Sequence, residues 1–169
     1  MRVAAVLALT ILSAGCGKPS ASGETSAPSP AAPAPTEAEA QAMLASLPAP
    51  YDTADLANGK TQFGRCRSCH TLGDGQADQV GPNLYGVFNR PMASKPGYNY
   101  SDALKASSEH GWDAAHMDAW IEDPRGSHPG TKMAFAGMKD AEDRKDLIAW
   151  LMIQTGYKAS EAPTGGEPH

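Results

Sequence analysis

Apolar side chains along this chain fall into short, separated runs, most of them at helical spacing. The clearest run covers residues 140–154, where Leu147, Ile148, Leu151 and Met152 recur with a helical period and Gly156 supplies the stop. Asp113 can cap a second helix reaching Glu122, with Trp112, Ala115, Met117, Trp120 and Ile121 forming its apolar side, and Pro124 limits it. Ser101 can cap a short helix reaching Ser108. Upstream, Asp52 can serve as an N-cap with Asp55 answering it, ahead of a run that holds Leu56 and Phe63 and ends near His70. Residues 73–97 are rich in Gly, Pro and Asn and predict loop, with one helical turn around residues 85–88. No convincing alternating strand pattern occurs. The pattern therefore predicts an all-α domain over residues 51–158 with long structured loops. A loop of about 25 residues is unusual in so small a domain unless something central gives it a surface to pack on.

The two ends read differently. Met1 and Arg2 give a basic start to an apolar stretch at residues 3–14, the build of an export signal. It is too short to cross a bilayer, which takes about 20 residues. Residues 1–15 are thus expected to be a signal peptide. Leu12, Ser13, Ala14, Gly15 and Cys16 resemble a bacterial lipoprotein processing site, where the signal is cut before the Cys and the Cys takes a lipid. The aliphatic residue usual three positions before that Cys stands four before it, at Leu12, and Ser13 takes its place. The resemblance implies a lipid anchor at Cys16 and membrane attachment without a spanning helix; an ordinary signal peptide with an incidental Cys is the alternative. Residues 16–50 are Ala, Pro, Ser, Gly, Thr and Glu with few bulky apolar side chains, which predicts a disordered tether spanning roughly 30–35 Å as a flexible coil. Within it, residues 37–47 have helical composition and are expected to form at most a transient helix. Residues 159–169 read as a flexible tail.

A formal charge of −5 argues against nucleic-acid binding, which favours basic surfaces. The chain has 3 cysteines, whereas a domain stapled by disulfides would normally show an even set. Cys16 stands apart. Cys66 and Cys69 lie three apart and His70 follows at once, the attachment pattern of c-type haem. Two thiols at that spacing on a helical turn can reach the two vinyl groups of one porphyrin, and the next imidazole is then held beneath the iron. Bacterial haem attachment takes place outside the cytoplasm, which agrees with an export signal. A thioredoxin-like pair would want a βαβ context, and a zinc site would need four ligands. A plain disulfide would leave the loop-rich core unexplained.

Candidates for a second axial ligand are Met92, Met117, Met133, Met138, Met152, His110, His116, His128 and His169. Met133 lies in Pro-Gly-Thr-Lys-Met-Ala-Phe-Ala-Gly at residues 129–137, which resembles the methionine loop of class I cytochromes c, the mitochondrial and bacterial c2 type. Gly-Pro-Asn-Leu-Tyr-Gly at residues 81–86 resembles that family's loop on the histidine side, which implies that the Pro82 carbonyl orients His70. Arg90, Tyr98, Tyr100 and Trp112 match positions that hold the haem propionates in the family. Residues 146–151 resemble its last helix, which crosses the first one near Gly59 and Phe63. The likeness spans residues 52–156. Trp120 stands where the family commonly has a Tyr near the methionine sulfur, and Trp150 replaces the usual Tyr of the last helix.

The resemblance implies the small class I cytochrome c fold around one covalent haem c, bonded to Cys66 and Cys69, with His70 and Met133 on the iron and Pro82, Arg90, Tyr98, Tyr100, Trp112 and Trp120 around it. The implied role is one-electron carriage between membrane redox complexes, from a quinol–cytochrome c oxidoreductase to a terminal oxidase. It implies no enzymatic activity, no small-molecule substrate and no nucleic-acid partner. Residence is expected at the periplasmic side of a bacterial membrane, with a soluble periplasmic protein as the alternative. A dedicated donor to one dehydrogenase or nitrogen-oxide reductase, and a haem sensor or peroxidase with an open iron, are the competing readings. Arg65, Arg67, Arg125, Lys132 and Lys139 fall near the exposed haem edge in this resemblance and predict a positive docking face, with scattered solvated charge as the alternative. Acidic residues gather elsewhere, at residues 113–123 and 140–146.

Overall fold

A computed structural model describes residues 33–159. Cys16 and the signal-like stretch at one end, and His169 at the other, lie outside the described residues. Within them the chain forms α1 (Glu37–Leu44), α2 (Leu56–Phe63), α3 (Asp102–Lys105), α4 (Ala114–Glu122), α5 (Pro124–Ser127) and α6 (Ala141–Gln154), with single 3-10 turns at Tyr51–Thr53 and Val87–Asn89. The one β contact among the described residues is an isolated bridge between Pro91 and Gly111. The fold is all-α.

The helix starts follow from side chains that satisfy orphan backbone N–H groups. Asp113 Oδ1 accepts from the His116 N–H at 2.8 Å, and Asp140 Oδ1 accepts from the Glu142 and Asp143 N–H groups at 3.0 Å. Ser101 Oγ caps α3 through the Leu104 N–H at 3.3 Å. The expectation for α2 is corrected by three residues. Asp55 is the cap, accepting from the Ala57 and Asn58 N–H groups at 2.9 and 3.0 Å, while Asp52 sits inside the 3-10 turn. Pro124 limits α4, which stops at Glu122 as the sequence predicts. It opens α5, where its missing N–H costs nothing, and Asp123 caps that turn through Gly126.

α6 is the axis of the domain. Leu147, Ile148, Ala149, Leu151, Met152 and Ile153 are all buried, because different neighbours cover different sides of it. The largest helix interface is α2 across α6, where Gly59 meets the backbone of Asp146 and Phe63 packs on Trp150 with ring centroids 5.0 Å apart. Two charged groups in residues 140–146, Arg144 and Asp146, are buried. Asp146 accepts from the Asp55 N–H and from Asn58 Nδ2, each at 2.9 Å, and so ties α6 to the start of α2. Arg144 grips Asp118 of α4 with Nε–Oδ1 at 2.8 Å and Nη2–Oδ2 at 3.2 Å, and donates to the carbonyls of Met138 and Lys139. Burial is tolerable for both because each is hydrogen-bonded.

α1 differs from the transient helix expected there. Thr36 and Glu39 form a reciprocal capping box, and Ala40 and Leu44 are buried in a cluster with Ala149 and Ile153 of α6. Ala149 and Ile153 lie two and six positions from Leu147, on the side of α6 turned away from it. A short Ala-rich helix is marginal alone and is held by such packing. Leu44→Ala is expected to cost about 2 kcal/mol and to lower the guanidinium midpoint accordingly. A midpoint equal to that of the wild type would mean that α1 adds nothing.

Candidate functional site

The chain leaving α2 continues in single helical turns. The Cys66 N–H donates to the Phe63 carbonyl at 2.8 Å, and the Cys69 and His70 N–H groups both donate to the Cys66 carbonyl at 3.0 Å. That turn sets the two cysteines and His70 on the wall of one cavity of about 410 Å³. No disulfide joins Cys66 and Cys69. Burial pushes the Cys66 thiol up to about 11, so it stays protonated and is a poor match for a thioredoxin-type thiolate.

His70 is fixed from two sides. Its Nδ1–H donates to the Pro82 carbonyl at 2.7 Å, and because a carbonyl only accepts, the proton must be on Nδ1 and the Nε2 lone pair is free to bind a metal. Burial lowers the imidazole below its ordinary range, and the bond to Pro82 only partly opposes this, so the neutral ring persists. Gly81 lies flat against it. A Cβ there would come within 2.7 Å of His70 Nε2 and 2.8 Å of Nδ1, so only glycine leaves room for the ring.

Pro82, Arg90, Tyr98, Tyr100, Trp112, Trp120 and Met133 line the same cavity as Cys66, Cys69 and His70. Arg90 donates from Nη1 to the Tyr85 carbonyl at 3.2 Å and from Nη2 to the Asn83 carbonyl at 3.0 Å, which clamps the loop after Pro82. Tyr98 donates to the Val80 carbonyl at 2.7 Å and meets Tyr100 edge to face with centroids 4.8 Å apart. Trp112 and Trp120 pack edge to face at 5.5 Å. Lys132 Nζ reaches across to the carbonyls of Asn99 at 3.0 Å and Tyr100 at 3.2 Å, and the Met133 N–H donates to Thr131 Oγ1 at 3.2 Å. Of the other ligand candidates, Met117 also lines the cavity, from α4. Met92, Met138 and Met152 are buried in the hydrophobic core, while His110 and His116 stack on each other at 5.6 Å and His128 packs on Trp120.

Most of the remaining wall is apolar, with Phe63, Leu84, Val87, Leu104, Leu147 and Leu151 among its residues. Two cysteine thiols, a neutral imidazole with its metal-binding nitrogen free and a thioether around an apolar cavity make a donor set that fits a covalently held haem. Sequence reasoning missed Asp78 and Lys95, which join two loops beside the cavity by an ion pair at 2.9 Å. Nothing in a Gly/Pro-rich loop marks such a pair, because it has no periodicity.

An all-α domain closed around this cavity, with Cys-x-x-Cys-His at its wall, defines a c-type haem protein. The cytochrome c family model matches residues 56–154. A cytochrome c2 of Rhodomicrobium vannielii is 42% identical over 106 residues, spanning 63% of this chain and 84% of that protein. A cytochrome c of Stellaria longipes is 45% identical over 91 residues, spanning 54% of this chain and 83% of its own. Among solved structures, cytochrome cH from Methylobacterium extorquens aligns with a TM-score of 0.54 at 39% identity, covering 58% of this chain and 97% of that one. The chain belongs to the cytochrome c family, as a class I member with one covalently attached haem c, and it is an electron carrier. When bound, the haem supplies a one-electron couple at its iron. The apolar side chains of the wall exclude water, and the Pro82 carbonyl keeps the His70 ring in one tautomer and orientation.

Proposed function

We propose that this cytochrome is a tethered one-electron shuttle between membrane respiratory complexes, from a quinol–cytochrome c oxidoreductase to a terminal oxidase. In this reading Cys66 and Cys69 would hold the haem through thioethers, and His70 and Met133 would both ligate its iron. The observation that carries it is the gathering of His70 and Met133 on one largely apolar cavity. Iron ligated on both sides has no position for a substrate, so the chemistry is outer-sphere transfer and not catalysis. Arg90, Tyr98, Tyr100, Trp112 and Trp120 would enclose the haem and its propionates.

The cavity mouth supports docking by its composition. Val80 is 79% exposed and borders the cavity, and Arg65 and Lys132 lie at its edge, an apolar centre with a cationic rim. Arg67 and Arg125 are exposed as well. Lys139 contributes less than the sequence implied, since Asp123 lies 3.8 Å from its Nζ. Acidic surfaces on redox partners would fit this face.

Residues 1–15 would act as an export signal, Cys16 as the lipid-bearing anchor, the segment from there toward α1 as the tether and residues 159–169 as a tail, on the periplasmic side of a bacterial membrane. No described helix is long and apolar enough to cross a membrane. A tether raises the effective concentration of the head at its partners without any new contact. Membranes from cells expressing the protein should show a haem c band that quinol reduces and oxygen reoxidises, and Cys16→Ser should move that band to the soluble fraction. A band that quinol never reduces would overturn the shuttle, and one that stays with the membranes in Cys16→Ser would overturn the anchor.

A further inference from the structure

A hydrogen-bonded line runs from the surface to the ring of His70 through a single peptide unit. His70 Nδ1–H donates to the Pro82 carbonyl at 2.7 Å. The N–H of that same peptide group belongs to Asn83, and it donates to Asp78 Oδ1 at 2.7 Å. Lys95 Nζ lies 2.9 Å from each oxygen of the Asp78 carboxylate. The Asp78 and Lys95 side chains are only 25% and 21% exposed, so solvent screens them incompletely.

We propose that Asp78 and Lys95 form a second-sphere pair that sets the donor strength of His70, and with it the reduction potential, through the Pro82–Asn83 peptide. The proposal rests on the reading of His70 as an iron ligand. A carboxylate that accepts from a peptide N–H polarises the whole amide and makes its carbonyl a stronger acceptor. The Pro82 oxygen then draws harder on the Nδ1 proton, Nε2 gains electron density, and the oxidised iron is favoured. Lys95 works against this by drawing the carboxylate's charge toward itself. Asp78 and Lys95 are positioning residues, since they act on the iron only through His70. Their pairing also holds the loop before Gly81 to the loop that carries Tyr98 and Tyr100, both on the cavity wall.

The pair can be tested in the holoprotein with Asp78→Asn, which keeps an oxygen acceptor for the Asn83 N–H, and Lys95→Gln. Two readouts are needed, the reduction equilibrium and the His70 Nδ1–H resonance. Asp78→Asn should weaken the Nδ1–H hydrogen bond and shift the equilibrium toward the reduced form on the order of two- to fivefold, about 18–41 mV at 59 mV per tenfold for one electron. Lys95→Gln should strengthen that bond and shift the equilibrium the other way. If the pair only braces the loops, both variants loosen the same joint and the resonance moves in the same direction in each, which would overturn the proposal. A potential that moves while the Nδ1–H resonance stays fixed would overturn it too, since that is a field acting through space. The ligand reading is checked separately. A wild-type ferric protein whose His70 ring shows no paramagnetic shift would refute ligation before any variant is made.

Discussion

Met133→Ala should abolish the long-wavelength sulfur–iron charge-transfer band and lower the reduction potential by a few tenths of a volt, within the ~0.8 V that axial ligands span. Two methionines line the cavity, and the structure distinguishes them by how each is held. Met117 lies on α4 and is buried in the core cluster, where the ordinary work of a methionine is to fill space. Met133 lies on a loop fixed on both sides. The Thr131 N–H donates to the His128 carbonyl at 3.0 Å before it, and after it the Met138 N–H donates to the Ile121 carbonyl at 2.9 Å. Lys132, next to it, is tied across the cavity to Asn99 and Tyr100. Such a loop presents its side chain in one place, as a ligand requires. Met117→Leu should keep the band and cost less than about 1.5 kcal/mol as a volume-conserving swap. Met133→Ala should also open the iron to carbon monoxide. A band that survived Met133→Ala and vanished in Met117→Leu would reverse the assignment.

What could be read in the sequence depended on whether the information was local. Caps at Asp113 and Ser101 were legible because a cap bonds to an N–H three residues away. Asp52 misled because Asp55 has the same side chain three residues on, and only the backbone decides which one meets the free N–H groups of α2. Cys66, Cys69, His70, Pro82, Arg90 and Met133 were legible because they lie in three compact motifs, around residues 66–70, 81–90 and 129–137, whereas Tyr98, Tyr100, Trp112 and Trp120 lie outside them and came only through the family resemblance. α1 was not, since its stability comes from Ala149 and Ile153, more than a hundred positions along. The burial of Arg144 and Asp146 was not legible either. It is set by Asp118 and Asn58 on other helices, and no pattern within residues 140–146 shows it.

Gly59→Val is expected to destabilise the holoprotein by about 3 kcal/mol or more, at the upper end of what overpacking costs. Two effects compete at this position. Glycine inside a helix is unfavourable by about 1 kcal/mol relative to alanine, so propensity alone would favour replacement. Packing decides otherwise. A Cβ on Gly59 would sit 2.7 Å from Trp150 Cβ and 2.8 Å from the Asp146 carbonyl carbon, and closer still to its oxygen. Backbone cannot swing aside as a side-chain tip can, so α2 and α6 would have to separate. Their separation would stretch the bonds from Asp146 to the Asp55 N–H and Asn58 Nδ2, and would pull Phe63 from Trp150. Phe63 also lines the cavity, so the damage reaches the haem wall. Gly59→Ala should fall between wild type and Gly59→Val, because one methyl already meets the obstruction and two more atoms extend it. For a domain near 100 residues each kcal/mol moves Tm by roughly 4–8 °C, so the valine variant should melt on the order of 12 °C or more below wild type. An alanine variant that melted above wild type would show that propensity outweighs the crossing, and that α2 and α6 do not meet at this glycine.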